Sequence, residues 1–175
     1  KESYKPNEMA KLSIYSEIPD RDVFLSFDRG NAHRYQIVKM QGKNATLSTT
    51  LQTNDMPNIY ASVASFSDKD LNTNTLNIKV SAESKKLAVK LTPDRKTYGP
   101  GDSVTATVET KDATGNPISA EVAVWSVDKA LFELVDNNLG DVFDTFWSER
   151  YLSTSYTHSL AGISVETAEQ GGGCF

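Results

Sequence analysis

The chain has 175 residues, a formal net charge of −5 and a hydrophobic fraction of 38%. Its basic residues form no cluster, which argues against a binding surface for nucleic acid or an anionic membrane. No apolar run approaches the roughly 20 residues that a membrane-spanning helix needs, so we expect no direct membrane insertion. Cys174 is the only cysteine, so stability should come from sheets and their cores rather than from an internal disulfide.

The first half alternates short apolar segments with polar turns. Apolar residues recur at every second position, as in Leu12 and Ile14, which is typical of a strand with one buried face. Gly30 and Gly42 lie in polar stretches that predict hairpin turns, because glycine accepts positive φ at little cost. About six or seven such strands predict a β-sandwich over residues 1–82. The predicted strands lie near 12–14, 23–27, 34–40, 45–52, 58–67 and 76–80.

A polar stretch without periodicity at 81–86 marks the predicted boundary between two domains. The second domain, 83–152, has predicted strands at 87–91, 103–110 and 118–127, and then a short amphipathic helix at 141–152 that Asp141 caps. Three strands are too few for a sandwich, so we expect this domain to be incomplete. We expect five aromatic residues to form its core between the helix and the sheet, with a contact surface for neighbouring domains as the alternative: Trp125, Phe132, Phe143, Phe146 and Trp147.

One turn signature occurs near the start of each half. A tyrosine is followed two positions later by proline and four positions later by an acidic residue. Proline fixes φ, glycine or asparagine permits the reversal, and the acidic side chain can accept hydrogen bonds from N–H groups of the turn. The pattern predicts two repeats of one domain type. The matched pairs are Tyr4 and Tyr98, Pro6 and Pro100, and Glu8 and Asp102.

The last segment, 153–175, differs from the rest of the chain. Apolar residues are sparse and unperiodic, and three consecutive glycines follow at 171–173. Such a segment buries too little surface to offset its ordering entropy, so we expect it to be flexible and exposed. Exposed, unstructured chain is the preferred substrate of proteases. The candidate cleavage residues are Tyr156, Leu160, Glu166 and Glu169.

Four motifs of the second half resemble the alpha-2-macroglobulin family at its bait-region domain. They read YGPGD at 98–102, GNPISAEV at 115–122, VWSVDKAL at 124–131 and DVFDTF at 141–146, the last being similar to bacterial members. The first half resembles the preceding macroglobulin-like domain through its own turn signature. The resemblance implies an all-β chain of two tandem antiparallel sandwiches of immunoglobulin-like or fibronectin-like type. The second would be incomplete, with short helices and a flexible tail at its C-terminal end.

The resemblance also implies a function. Endopeptidases would cleave the bait segment of a protease inhibitor, and a rearrangement would then trap the protease. The implied partners are those endopeptidases and the neighbouring domains of the parent protein. The implied location is extracytoplasmic, in a bacterial periplasm, at a cell surface or otherwise secreted. The family's thioester has a Cys-x-Glu-Gln core, whereas here Glu169 and Gln170 precede Cys174, so no thioester is expected in this chain.

Two other classes of function compete with an inhibitor. A structural or adhesive β-sandwich module of a surface protein is the alternative to an inhibitor. An enzyme is not expected, because the candidate pair Cys174 and His158 lies in a segment without a scaffold to fix its geometry. His33 lies in a predicted hairpin and should be solvated. Two histidines and one cysteine offer no metal-ligand spacing, so neither metal nor cofactor is expected.

Overall fold

A computed structural model describes residues 1–67, 70–128, 130 and 140–158. These residues form antiparallel sheets, which confirms the all-β class. β1 pairs with β4, a four-stranded sheet has the order β3-β2-β5-β6, and β7 pairs with β8. The elements are β1 Met9–Tyr15, β2 Asp22–Arg29, β3 Asn31–Lys39, β4 Asn44–Thr50, β5 Asn58–Ser67, β6 Asp70–Lys79, β7 Ala88–Pro93, β8 Ala106–Lys111 and the helix α1 Val142–Phe146.

Strand β2 has two faces of different chemistry. Val23, Leu25 and Phe27 are buried apolar residues, and they form a core with partners such as Ile59 and Ala61. The intervening residues face the other side of the sheet, because side chains alternate along a strand. That second face, called the outer face here, carries Phe24, Ser26 and Asp28 of β2. Across the strand pair, Ser26 lies opposite Ser62, and Asp28 lies opposite Tyr60.

The turns of the first half follow the sequence prediction. Gly30 links β2 to β3 with φ +77°, and Gly42 has φ +61° between β3 and β4. Both values lie in the left-handed region that glycine adopts readily. The chain forms two compact units, one made of Lys1–Ala10, Thr50–Asn58 and Lys79–Arg150, and one containing Lys11–Thr49, Ile59–Ile78 and residues 151–158. The boundaries at 82/83 and 152/153 remain predictions.

The duplicated turn has the same hydrogen bonds in both copies. The Glu8 carboxylate accepts from the backbone N–H of Lys5 at 2.9 Å, and the Asp102 carboxylate accepts from that of Gly99 at 2.9 Å. The backbone reverses at equivalent positions, at Asn7 with φ +66° and at Gly101 with φ +84°. The acidic acceptor and the Asn or Gly reversal are therefore both present, as the repeat predicts.

The predicted strand at 118–127 is wrong. The Ile118 N–H donates to the Thr110 carbonyl at 3.1 Å, and Lys111 forms a single bridge with Pro117, but residues 119–127 form no strand. Trp125 is 62% exposed. An alternating strand is stabilised by burying one face against a second sheet, and in the described part of this half only β7 and β8 are strands.

The predicted helix at 141–152 is shorter than expected. Asp141 caps it as predicted, because its carboxylate accepts from the Phe143 N–H at 2.7 Å, but the helix ends at Phe146. The backbone of Arg150 bonds to another part of the chain instead of continuing the helix. The predicted aromatic core is also wrong for Trp125 and Phe146, since Phe146 is 69% exposed. Phe143 and Trp147 are partly buried, and Phe132 lies outside the described residues.

Candidate functional site

The site of interest is the stretch that leads into the predicted bait segment. Residues 151–158, called the strap here, form no strand but alternate between exposed and partly buried side chains. A period of two indicates an extended chain that lies with one side against a surface. The partly buried residues are Leu152, Thr154, Tyr156 and His158, and the exposed ones are Tyr151, Ser153, Ser155 and Thr157.

The residue before the strap is clamped by an asparagine. Asn58, at the start of β5, is 1% exposed. Its side-chain amide donates to the Arg150 carbonyl at 3.0 Å and accepts from the Arg150 N–H at 2.8 Å. One side chain thus satisfies both backbone groups of Arg150, as a neighbouring strand would. The Arg150 N–H therefore bonds to Asn58 and not to the carbonyl four residues earlier, as it would in a helix that continued to residue 152.

Tyr156 is the main anchor of the strap. Its phenol donates to the carboxylate of Asp28 at 2.5 Å and also contacts the hydroxyl of Ser26. Ser26 itself donates to the same carboxylate at 2.7 Å, and Ser62 of β5 lies opposite Ser26 on the same face. Ser26 and Asp28 are both 0% exposed. A hydrogen bond to a buried carboxylate is among the stronger ones in proteins.

The environment of Tyr156 raises the pKa of its phenol. The larger cause is burial, which disfavours the charged phenolate, and the second is the hydrogen bond to the Asp28 carboxylate. The ring also meets Phe24 edge-on, with the centroids 6.4 Å apart. Tyr156 therefore contacts both the polar and the apolar part of the outer face.

The end of the strap makes a second ring contact. His158 meets Phe66 edge-on, with the centroids 5.6 Å apart. Its Nδ1 atom is buried without a hydrogen-bond partner, as is the hydroxyl of Thr154. Beside the strap, an open groove is lined by apolar side chains that include Phe24, Ile37 and Phe66. His158 thus belongs to the packed part of the chain.

These contacts correct the expectation that the whole of 153–175 is exposed. Within the described residues 153–158, Tyr156 is bonded to the buried carboxylate of Asp28 on the outer face, and His158 packs on Phe66 of β5. Of the predicted cleavage residues, only Tyr156 lies in the described part of the chain. The other three, Leu160, Glu166 and Glu169, lie outside the described residues, as does Cys174.

Sequence reasoning missed the residues that receive the strap. Among the described residues, five polar residues are buried, and three of them contact Arg150 or Tyr156 through polar atoms. A signal was present in β2, where serine and aspartate interrupt an apolar run, but it identified no partner. The three are Ser26, Asp28 and Asn58, and buried Ser62 lies opposite Ser26.

The other candidate sites show no arrangement of described residues that suggests a function. His33 is exposed, as predicted, and its Nε2 lies 3.2 Å from the Arg29 carbonyl. Among the described residues, no three His, Cys, Asp or Glu side chains form a group that could hold a metal ion. No helix in the described part of the chain has the length and apolar character needed to cross a bilayer.

Comparison with known proteins identifies the family. The model of the alpha-2-macroglobulin bait region domain matches residues 1–134, which takes in both halves of the chain. An alpha-2-macroglobulin homolog from a Nostoc species is 26% identical over 180 aligned residues, covering 95% of this chain. The chain spans 9% of the length of that relative. Since the family model covers well over half of its residues, the chain belongs to the alpha-2-macroglobulin bait region domain family.

Proposed function

We propose that this chain is the bait-bearing part of a protease inhibitor. Endopeptidases cleave residues 153–175, and the cut releases a rearrangement of the parent protein that traps the protease. The observation that carries this proposal is the match to the bait region domain family. The sequence that follows the strap is poor in apolar residues, which supports the proposal because proteases readily cut exposed segments of this composition. The relative's name, alpha-2-macroglobulin homolog, agrees with this role.

The proposal keeps the three-part division of the chain. Two macroglobulin-like sandwiches, 1–82 and the incomplete 83–152, precede the bait segment, which is 153–175. The proposed cleavage residues are Leu160, Glu166 and Glu169. Tyr156 is set apart from them, because its side chain is engaged by Asp28 and Ser26. The partners are endopeptidases and neighbouring domains of the parent, in an extracytoplasmic compartment. The chain itself has no catalytic role.

Limited proteolysis of the chain tests the location of the bait. A glutamyl-specific protease should cut first after Glu166 and Glu169, and an unrelated protease that cuts after apolar residues should cut first after Leu160. Glu109 provides an internal control, because its side chain is exposed while its backbone is paired in β8. Early cuts spread over the loops of residues 1–130 would contradict the proposal.

Scattering of the intact parent protein tests the consequence of the cut. An inhibitor that traps its protease should change its radius of gyration when the bait segment is cleaved. A structural or adhesive module, the alternative for this chain, should keep its shape after the same cut. Unchanged scattering after complete cleavage within 153–175 would therefore favour the adhesive module and reject trapping.

A further inference from the structure

The outer face of the four-stranded sheet is built to receive the strap. Ser26, Asp28 and Ser62 lie side by side on neighbouring strands and are almost completely buried. Buried polar groups need partners, and an isolated buried carboxylate is especially costly. Tyr156 contacts the Ser26 hydroxyl and donates to one oxygen of the Asp28 carboxylate, whose other oxygen is buried without a hydrogen-bond partner. Ser62 is also linked onward to Thr75 of β6, with the two hydroxyl oxygens 3.1 Å apart.

We propose that the strap is a docked leader, anchored by Tyr156, that fixes where protease access begins. Access then starts beyond His158, and the bond after Tyr156 is protected although chymotrypsin-like proteases favour tyrosine. This inference rests on the proposed bait function, whose cleavage residues lie further along the chain. The occupant of the outer face is thus a segment of this same chain, residues 151–158.

The reason for protection is geometric. A protease holds its substrate as an extended strand and places the side chain before the cut bond in a pocket of its own. The side chain of Tyr156 is committed to Asp28 and Ser26 and packs on the ring of Phe24. The strap must therefore leave the sheet before the bond between Tyr156 and Thr157 can be cut.

The chemistry of the outer face makes such a departure reversible. The strap makes no strand pairing, so side chains carry the contact. When the strap leaves, Ser26, Asp28 and Ser62 return to water, where hydroxyls and a carboxylate are well solvated. The apolar core on the other face of β2, with Val23, Leu25 and Phe27, is untouched. The strap can therefore undock without unfolding the sheet.

Digestion with chymotrypsin tests the anchor through Tyr156→Phe. Phenylalanine remains a chymotrypsin site but cannot donate to Asp28. Rates are measured for the cut after residue 156 and, in the same digest, for the cut after Leu160. Each rate is normalised to that of a peptide of the same sequence. Loss of a hydrogen bond to a charged group should raise the 156-to-160 rate ratio at least about tenfold.

Two further variants make the test specific. Ser26→Ala leaves the strap sequence unchanged, so protease preference cannot contribute, and it should raise the ratio several-fold. Tyr151→Phe is the matched control, because Tyr151 is 90% exposed, and it should leave the ratio unchanged. A ratio that neither Tyr156→Phe nor Ser26→Ala alters would overturn the inference, as would wild-type cutting after residue 156 as fast as in the free peptide.

The same digests separate this inference from the proposed function. Cutting after Glu166 and Glu169 by a glutamyl-specific protease depends on the bait and should be equal in all four proteins. If those glutamates resist cutting while the chymotrypsin ratio responds to Tyr156→Phe, the strap is an anchor but the bait assignment fails. If they are cut first and the ratio does not respond, the bait assignment stands and the strap inference fails.

Discussion

At the scale of the residue, the Tyr156 phenol gives the strap a dependence on pH. Burial first, and the Asp28 carboxylate second, raise the pKa of this phenol above its ordinary value of about 10. The docked strap therefore holds the phenolic proton more tightly than the free strap does. Docking is fully favoured below the ordinary pKa and is lost as the pH rises through the raised one.

We expect the difference in absorbance at 295 nm between wild type and Tyr156→Phe to titrate above the pKa of a free tyrosine. The carboxylate of Asp28 is the charged group bonded to the phenol, so ionisation places two negative charges together. An ordinary titration of Tyr156 would show that its ring is not docked in solution.

A second residue-scale prediction concerns the clamp at Arg150. Replacing Asn58 with alanine removes a buried side chain that bonds to both backbone groups of Arg150. The free energy of unfolding should fall by about 1–3 kcal/mol, measured by urea denaturation. Asn74 of β6 is exposed, so Asn74→Ala should change that free energy by no more than about 0.5 kcal/mol. Equal effects of the two substitutions would contradict the clamp.

At the scale of the element, the duplicated turn allows the same substitution to be made twice. Asn7 and Gly101 reverse the backbone at equivalent positions with positive φ. An added Cβ at Gly101 would meet nothing within 4 Å, so any cost of Gly101→Ala comes from backbone conformation. Gly101→Ala and Asn7→Ala should each lower the free energy of unfolding by about 1–2 kcal/mol.

Glycine at the first turn is the matched control. Asn7→Gly should leave the free energy of unfolding nearly unchanged, since glycine adopts positive φ without strain. Thermal and urea denaturation of the three variants check these values. If Asn7→Gly destabilises as much as Asn7→Ala, then the side chain of Asn7, rather than the conformation of the turn, is what the first copy needs.

At the scale of the whole molecule, local patterns predicted local structure. The apolar pattern predicted strands at the places of β1 to β8, each of which pairs with a neighbour, although β6 begins at Asp70 and not near residue 76. The Tyr-Pro-acid spacing predicted both copies of the turn. The same alternation failed at 118–127, where the described residues provide no second sheet to cover Val124 and Trp125. A strand pattern thus predicts a strand only where a partner exists.

The docking of the strap could not be predicted in the same way. The partly buried residues of the strap occupy every second position, but they are a mixture of polar and apolar types. Their pattern therefore produces no hydrophobic periodicity in the sequence. These residues are Leu152, Thr154, Tyr156 and His158. Their partners Asp28 and Phe66 are far away in sequence and are brought together by the pairing of β2 with β5. The site is formed by side-chain contacts between residues that are distant in sequence, so it depends on the tertiary structure.

The two tryptophans give the molecule a natural optical reporter. Trp125 is 62% exposed, and Trp147 is partly buried with its ring 6.5 Å from that of Phe143. Both lie in the same compact unit, and the chain has no others. Tryptophan emission therefore comes from that unit and not from the sheet that holds the strap. A blue shift of the emission from Trp125 would report that another chain segment has covered this exposed side chain.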